Sequence, residues 1–346
     1  GLDHLELCNG KWNSIWFWND YSRELESAGH LAAYRALAWR MREHHMAFAF
    51  PGPEEWHPDA WVGRKSVAWL EQTACIDAPR FLWCSFSGPH YPHDPPAAWL
   101  ERVDRSRLPL LRLAPGEFDD QAGKIQRQAW DGSGRIGELA EGASVIDGGT
   151  RAYTRADWIR IQAHYHANVA FIDHWIGKVL KAAHASRREV LVVVTADHGD
   201  CMGAHGLWGK NRCAYDEVLR VPLVVAGPGF AVGMTSSTRV GLIDLLPTLC
   251  HSAASASPPG RDGRALQDSL VDGGHTMMTA SCEDLLIAHD RRWKLVIDRR
   301  LGIEELYDRE QDPGEYVNVI NHPATQEARC RLMKTLLAEL MASGLG

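Results

Sequence analysis

Residues Glu189-Val190-Leu191-Val192-Val193-Val194-Thr195-Ala196 constrain the fold more than any other stretch of this chain. A continuous β-branched run without polar alternation predicts a strand covered on both faces, as in a parallel sheet. Asp197-His198-Gly199-Asp200 follows directly. In open α/β sheets, sites form at the carboxyl ends of strands. Asp197 and His198 would then project side by side, and a carboxylate with an imidazole is half of a divalent metal site. Gly199 lets the backbone turn away sharply behind them. A capping Asp and a surface His would leave the same tripeptide, so Asp-His-Gly alone does not decide.

Helices and strands are predicted around that run. Thr154-x-x-Asp157 is a capping-box-like helix start. Trp158, Ile161, Tyr165, Val169, Ile172, Ile176 and Val179 then recur at steps of three and four and line one apolar face. A helix is predicted over 60–72, a buried strand over 80–86, a second short strand over 222–226 and a helix over 242–251. Residues 87–96 form a proline-punctuated loop that continues neither element. Residues 101–150 are polar and Gly-rich, a long excursion, and 252–264 is small, Pro-rich and linker-like. Beyond it, short strands at 285–289, 293–298 and 304–307 predict an antiparallel meander, closed by a helix over 324–340. The expected fold class is α/β. A mostly parallel sheet flanked by helices spans 1–251, a linker 252–264, and a small antiparallel α+β domain 265–346. A length of 346 residues suits one large domain or two unequal ones, at roughly 100–200 residues per domain.

A formal net charge of -7 argues against a nucleic-acid partner, which needs a basic face. No apolar run approaches the roughly 18 residues of a membrane span, so no membrane partner is expected. The eight cysteines are scattered without a C-x-x-C pair, which argues against a zinc knuckle or a thioredoxin-like motif. Cys84 and Cys250 sit in apolar patterns and read as buried thiols. A reducing compartment, the cytoplasm, is expected. The start, Gly1-Leu2-Asp3-His4, carries neither a signal peptide nor a Met, and leaves the periplasm or secretion as alternatives. The oligomeric state is not legible.

Two further residues carry chemistry. Lys210 ends a Gly-rich loop twelve residues after His198, where one point charge can meet an oxyanion. A solvated loop lysine is the plainer reading. His90 follows its own predicted strand end, with prolines on both sides to stiffen the backbone for a general acid. An exposed loop His is the plainer reading there.

Phe86-Ser87-Gly88-Pro89-His90-x-Pro92, then Thr195-Ala196-Asp197-His198-Gly199-Asp200, then His205-Gly206-Leu207-Trp208-Gly209-Lys210, in this order, resemble the type I sulfatase family of the alkaline phosphatase superfamily. His57-Pro58-Asp59-Ala60-Trp61-Val62-Gly63, Val221-Pro222-Leu223 and Leu306-Tyr307-Asp308-x-x-x-Asp312-Pro313-x-Glu315-x-x-Asn318 resemble further family segments, so the likeness spans essentially the whole chain. It implies an alkaline-phosphatase-like fold and a metal-dependent hydrolase of sulfate esters, on a small molecule or a saccharide. It implies Asp197 and His198 as ligands of a divalent metal, Ca²⁺ foremost, with Mn²⁺ and Mg²⁺ as alternatives. By the same likeness Lys210 holds a sulfate oxygen, and His90 binds the sulfate or protonates the departing oxygen. His205 supports substrate binding. The alternative within the superfamily is a phosphonate monoester or phosphodiester hydrolase.

The family nucleophile, a Cys converted to formylglycine or a Ser, lies in a Cys/Ser-x-Pro-x-Arg motif near the N-terminus, after a pair of Asp ligands. Cys75 begins Cys-Ile-Asp-Ala-Pro-Arg, with the wrong spacing. Ser257-Pro258-Pro259-Gly260-Arg261 fits loosely, but it follows Asp197 and reads as linker. Gly1-Leu2-Asp3-His4 resembles the family segment downstream of the nucleophile. The expectation is an N-terminally truncated member, alone weak in metal affinity, without turnover and poorly soluble. A non-catalytic remnant is the rival from a different class.

Overall fold

The computed structural model describes residues 2–40, 47–109, 143–145, 152–186, 188–205, 207, 209–210, 213–260, 262–282 and 284–342. The chain divides into two compact units, 1–109 with 153–190, and 110–152 with 191–346. Residues 252–264 fall inside the second unit. Most of the 101–150 excursion lies outside the described residues, apart from 101–109 and strand β1 (Ala143–Val145). Strand β2 (Ala152–Thr154) precedes the long helix.

The first unit is built from helices α1 (Lys11–Trp16), α2 (Asp20–Ser27), α3 (Leu31–Trp39), α4 (Pro58–Gln72), α5 (Ala97–Leu100) and α6 (Arg155–Ala185). Asn19 and Ser22 cap α2 reciprocally, side chain to backbone in both directions. Before α4, His57 Nδ1 accepts from Asp59 N at 3.1 Å, and Pro58 takes the first helical position, where no N–H is needed. Ile15, Tyr21, Leu25, Tyr34, Phe50 and Trp61 form one core, and Trp99, Phe171 and Trp175 another.

Two expectations change here. Helix α6 starts beside Thr154 as predicted, but its buried side includes Gln162, His164 and Asn168, while Val169 is 42% exposed. That face meets a buried charge cluster, described below, rather than apolar partners alone. The 80–86 segment joins no strand ladder; Phe81 and Trp83 are exposed while Cys84 and Phe86 pack inward. Its residue types favour a pleated surface, but propensity cannot supply a hydrogen-bonding neighbour.

In the second unit, β3 (Val192–Thr195) forms where the β-branched run predicts a strand. It is not a doubly covered strand of a parallel sheet. Its valines are half-buried, and it pairs antiparallel with β4 (Leu223–Ala226), Val192 opposite Ala226 and Thr195 opposite Leu223. A compact loop and α7 (Asp216–Leu219) turn the chain back, so β4 returns in the reverse direction. A β-branched run specifies burial, not the direction of its neighbour.

After α8 (Leu245–Ser252) and α9 (Leu266–Asp272) comes the meander β5 (Met278–Cys282), β6 (Leu285–His289), β7 (Trp293–Asp298) and β8 (Ile303–Asp308), antiparallel in that order. The doubly covered strand is β6. Leu285 and Ile287 pack with Leu207, Tyr215 and Val218, whereas Leu286 and Ala288 pack against Leu332 and Leu336 of α10 (Gln326–Ala342). Lys294 of β7, 1% exposed, reaches Glu315 Oε1 at 2.5 Å, Asp216 Oδ1 at 2.9 Å and the Ala214 carbonyl at 2.9 Å. Asn318 Oδ1 accepts from Leu306 N and Ile320 N, and Asp312 Oδ2 from Val317 N. The Asp312-Pro313-x-Glu315-x-x-Asn318 signature is therefore a brace. It fixes the turn after β8 and ties the meander to the residues before α7.

Candidate active site

At the end of β3, Asp197 is exposed and His198 half-buried, and Asp197 Oδ2 lies 3.4 Å from His198 Nε2. His198 Nδ1 is 2.8 Å from the Gly199 carbonyl; donation there assigns Nε2 as the acceptor nitrogen. Lys210 Nζ contacts that Nε2. Gly199 is required by crowding: its N–H donates to Val218 O at 2.8 Å, and a Cβ would stand 1.9 Å from the Glu217 carbonyl oxygen.

Asp200 fastens the loop that returns to Lys210. Its Oδ1 accepts from Met202 N at 2.9 Å and Gly209 N at 3.0 Å. Burial pushes the Asp200 carboxyl up, and those two N–H groups offset part of the rise. Cys201 N donates to Gly209 O and Gly203 N to Leu207 O, each at 2.9 Å. His205, within the loop, is fully buried and stacked on Tyr215 with ring centroids 3.5 Å apart and planes 6° apart. Its φ of 57° is left-handed. Its burial gives it the part of a loop support.

His90 belongs to the first unit. Its Nδ1 is 2.7 Å from the Tyr91 carbonyl, and its ring lies 4.2 Å from the Tyr91 ring, centroid to centroid. A fully buried cluster holds this loop. Lys11 Nζ donates to Asp94 Oδ1 at 2.5 Å and to the Pro92 carbonyl at 3.4 Å. Tyr34 Oη donates to Asp94 Oδ2, and His57 Nε2 stands 3.4 Å from Asp94 Oδ1. Asp59 Oδ1 accepts from Gly88 N at 2.9 Å, and a Cβ on Gly88 would come within 2.5 Å of Asp59 Oδ2. With its amide oxygen turned to the cluster, Asn168 accepts from Asp94 N and Lys11 Nζ at 3.2 Å each. Burial alone would raise Asp94, but the charges of Lys11 and His57 hold it below the usual carboxylate range.

The structure thus gathers Asp197, His198 and Lys210 at one strand end, buries His205 against Tyr215, and sets His90 on a braced loop of the other unit. The family model for Sulfatase matches residues 7–255. The chain belongs to the sulfatase family. It is 29% identical over 293 residues to an uncharacterized sulfatase, YidJ, of Escherichia coli, covering 80% of this chain and 54% of that one. It is 28% identical over 303 residues to an arylsulfatase of Clostridium perfringens, covering 83% and 58%. The chain therefore spans little more than half the length of these curated relatives. Its fold matches that of a phosphonate monoester hydrolase from Silicibacter pomeroyi, with TM-score 0.70 and 24% identity over 84% of this chain and 61% of that one. It also matches a 2-O GAG sulfatase, with TM-score 0.63 and 22% identity over 83% and 63%.

Sulfatases generally use a divalent metal, and Asp197 with His198 Nε2 fits two positions of such a shell. Among the described residues, no group of three or more His, Cys, Asp and Glu is gathered for an ion.

Sequence reasoning missed the buried cluster around Lys11, whose partner Asp94 is 83 residues away. One prediction follows from His93, which donates from Nδ1 to Pro89 O in this cluster. Burial, then the Lys11 charge, depresses its pKa from the usual 6.5 to about 3. Between those values the unfolded chain binds a proton that the folded chain refuses. Stability therefore rises with pH across that window, and falls on acidification from about 6.5 toward 3, by up to ~1.4 kcal/mol per pH unit. His289, lowered by burial and Arg309 to about 4, acts in the same direction. Urea midpoints between pH 7.5 and 4.5 test this: His93→Gln should reduce the slope by up to one proton, and an unchanged slope would count against it.

Proposed function

We propose that this chain carries anion-binding and acid-base residues of a sulfatase active site, and that the protein hydrolyses sulfate esters. The observation that carries this reading is the convergence of Asp197, His198 and Lys210 at the end of β3, in a chain of the sulfatase family. A bound divalent cation would supply positive charge against the sulfate oxygens; Asp197 and His198 would hold it, and Ca²⁺ is the ion to test first. Lys210 gives up its contact with His198 Nε2 and turns its ammonium to a non-bridging oxygen, where charge grows in sulfuryl transfer. Asp200 positions it by pinning both ends of the loop. His90, with Nδ1 directed to the Tyr91 carbonyl, gives a proton from Nε2 to the departing oxygen. Tyr215 and His205 keep the Lys210 loop packed from below.

A second reading, hydrolysis of phosphonate monoesters, draws on the fold shared with the Silicibacter pomeroyi enzyme. The arylsulfatase relative and the 2-O GAG sulfatase that shares the fold make aryl and saccharide sulfates the first substrates to try. Assaying the full-length protein against aryl sulfate, saccharide sulfate and aryl phosphonate panels decides between them. Sulfate esters should turn over faster; a preference for phosphonate esters would overturn the first reading. Lys210→Ala should lower the sulfatase rate by about 10²–10³-fold, with little change in thermal midpoint because Lys210 is half-exposed. A large loss of stability with intact turnover would assign Lys210 to structure instead.

A further inference from the structure

We propose that Cys201 and Cys213 are an oxidation site, a dithiol that closes to a disulfide by exchange with a low-molecular-weight disulfide such as oxidised glutathione, and so locks the loop that carries Lys210.

The two sulfurs lie 3.1 Å apart, in contact but unbonded. A bonded pair stands about 2.05 Å apart, so closure asks for a shift of only about 1 Å. Both side chains are buried, at 2% and 1% exposure, in the core that also holds Leu207, Tyr215 and Ile287. Neither thiol can leave this pocket without disturbing that core, so packing holds the pair face to face. The segment they enclose contains His205 and Lys210, and Cys201 N already donates to Gly209 O. Two crossing points, one hydrogen-bonded and one covalent, would fix both ends of the segment. Contact with Cys213, followed by burial, pushes the Cys201 thiol well up, so exchange in the folded state is slow and proceeds as the loop opens or the chain refolds.

The step balances. One cysteine thiolate attacks a sulfur of oxidised glutathione, forming a mixed disulfide and releasing one glutathione thiolate. The second cysteine thiolate attacks the protein sulfur of that mixed disulfide and expels the other glutathione. The protein loses two electrons and two protons, and one oxidised glutathione becomes two thiols. In a reducing compartment the pair stays open.

The test is refolding of the full chain across graded ratios of oxidised to reduced glutathione, then alkylation, trypsin and mass spectrometry. Lys210 and Arg212 separate the two cysteines into different peptides, so the bond yields a unique linked pair. That pair should accumulate as the buffer becomes oxidising, and hydrogen exchange over 202–210 should slow by roughly tenfold. Cys213→Ala and Cys201→Ala should each abolish both effects; two variants guard against one failing to fold. Alkylation of both cysteines at the most oxidising ratio would overturn the site. A linked pair with unchanged exchange over 202–210 would overturn the lock.

Discussion

His90→Ala is expected to slow hydrolysis of sulfate esters with poor leaving groups by about 10²–10⁴-fold, and to affect activated aryl esters far less. A departing alkoxide is a strong base and needs a proton in the transition state, whereas a stabilised phenolate leaves without one. The geometry behind this is the braced loop: the Tyr91 carbonyl takes Nδ1, and Lys11, Asp59 and His93 hold the backbone at Pro92, Gly88 and Pro89. A leaving-group series on the active protein measures it. Equal losses across the series would remove the role.

Asp94→Ala should destabilise the first unit by about 3–5 kcal/mol. Lys11 and Asp94 are both fully buried and 2.5 Å apart, and the substitution leaves the ammonium in the interior without its closest anion. Asp59 Oδ2, at 3.8 Å, stays within ion-pair range but does not replace the hydrogen bond. Tyr34 Oη loses its acceptor as well. The double variant Lys11→Met, Asp94→Leu should recover part of the loss, because it removes the unpaired ammonium, while the buried Asp59 carboxylate keeps His57 at 3.7 Å. Chemical denaturation of the three proteins checks this; a single-variant loss below about 1 kcal/mol would mean that the pair is not desolvated in solution.

The sequence predicts elements wherever the cause is local. The start of α6, the β-branched run of β3, the meander β6 to β8 and the glycine behind His198 are all within a few residues of what specifies them. It predicts the antiparallel β3–β4 pairing poorly, because the partner of a strand is set by where the chain returns, not by the strand's composition. It conceals Lys11 for a related reason. A lysine in a Trp-rich stretch reads as solvated, and only the fold brings Asp94, Asp59 and Asn168 around it. The C-terminal signature carries a different lesson. Its Glu315 serves Lys294 and Arg309 and braces the fold.

The central claim is that Asp197 and His198 form the cation-binding corner beside Lys210, and Mn²⁺ titration followed through the histidine imidazole resonances tests it most directly. The paramagnetic ion should broaden His198 first, with weak affinity as a two-ligand corner implies, and Asp197→Asn should remove that preference. Broadening that spares His198, or that is the same in the variant, would contradict the account.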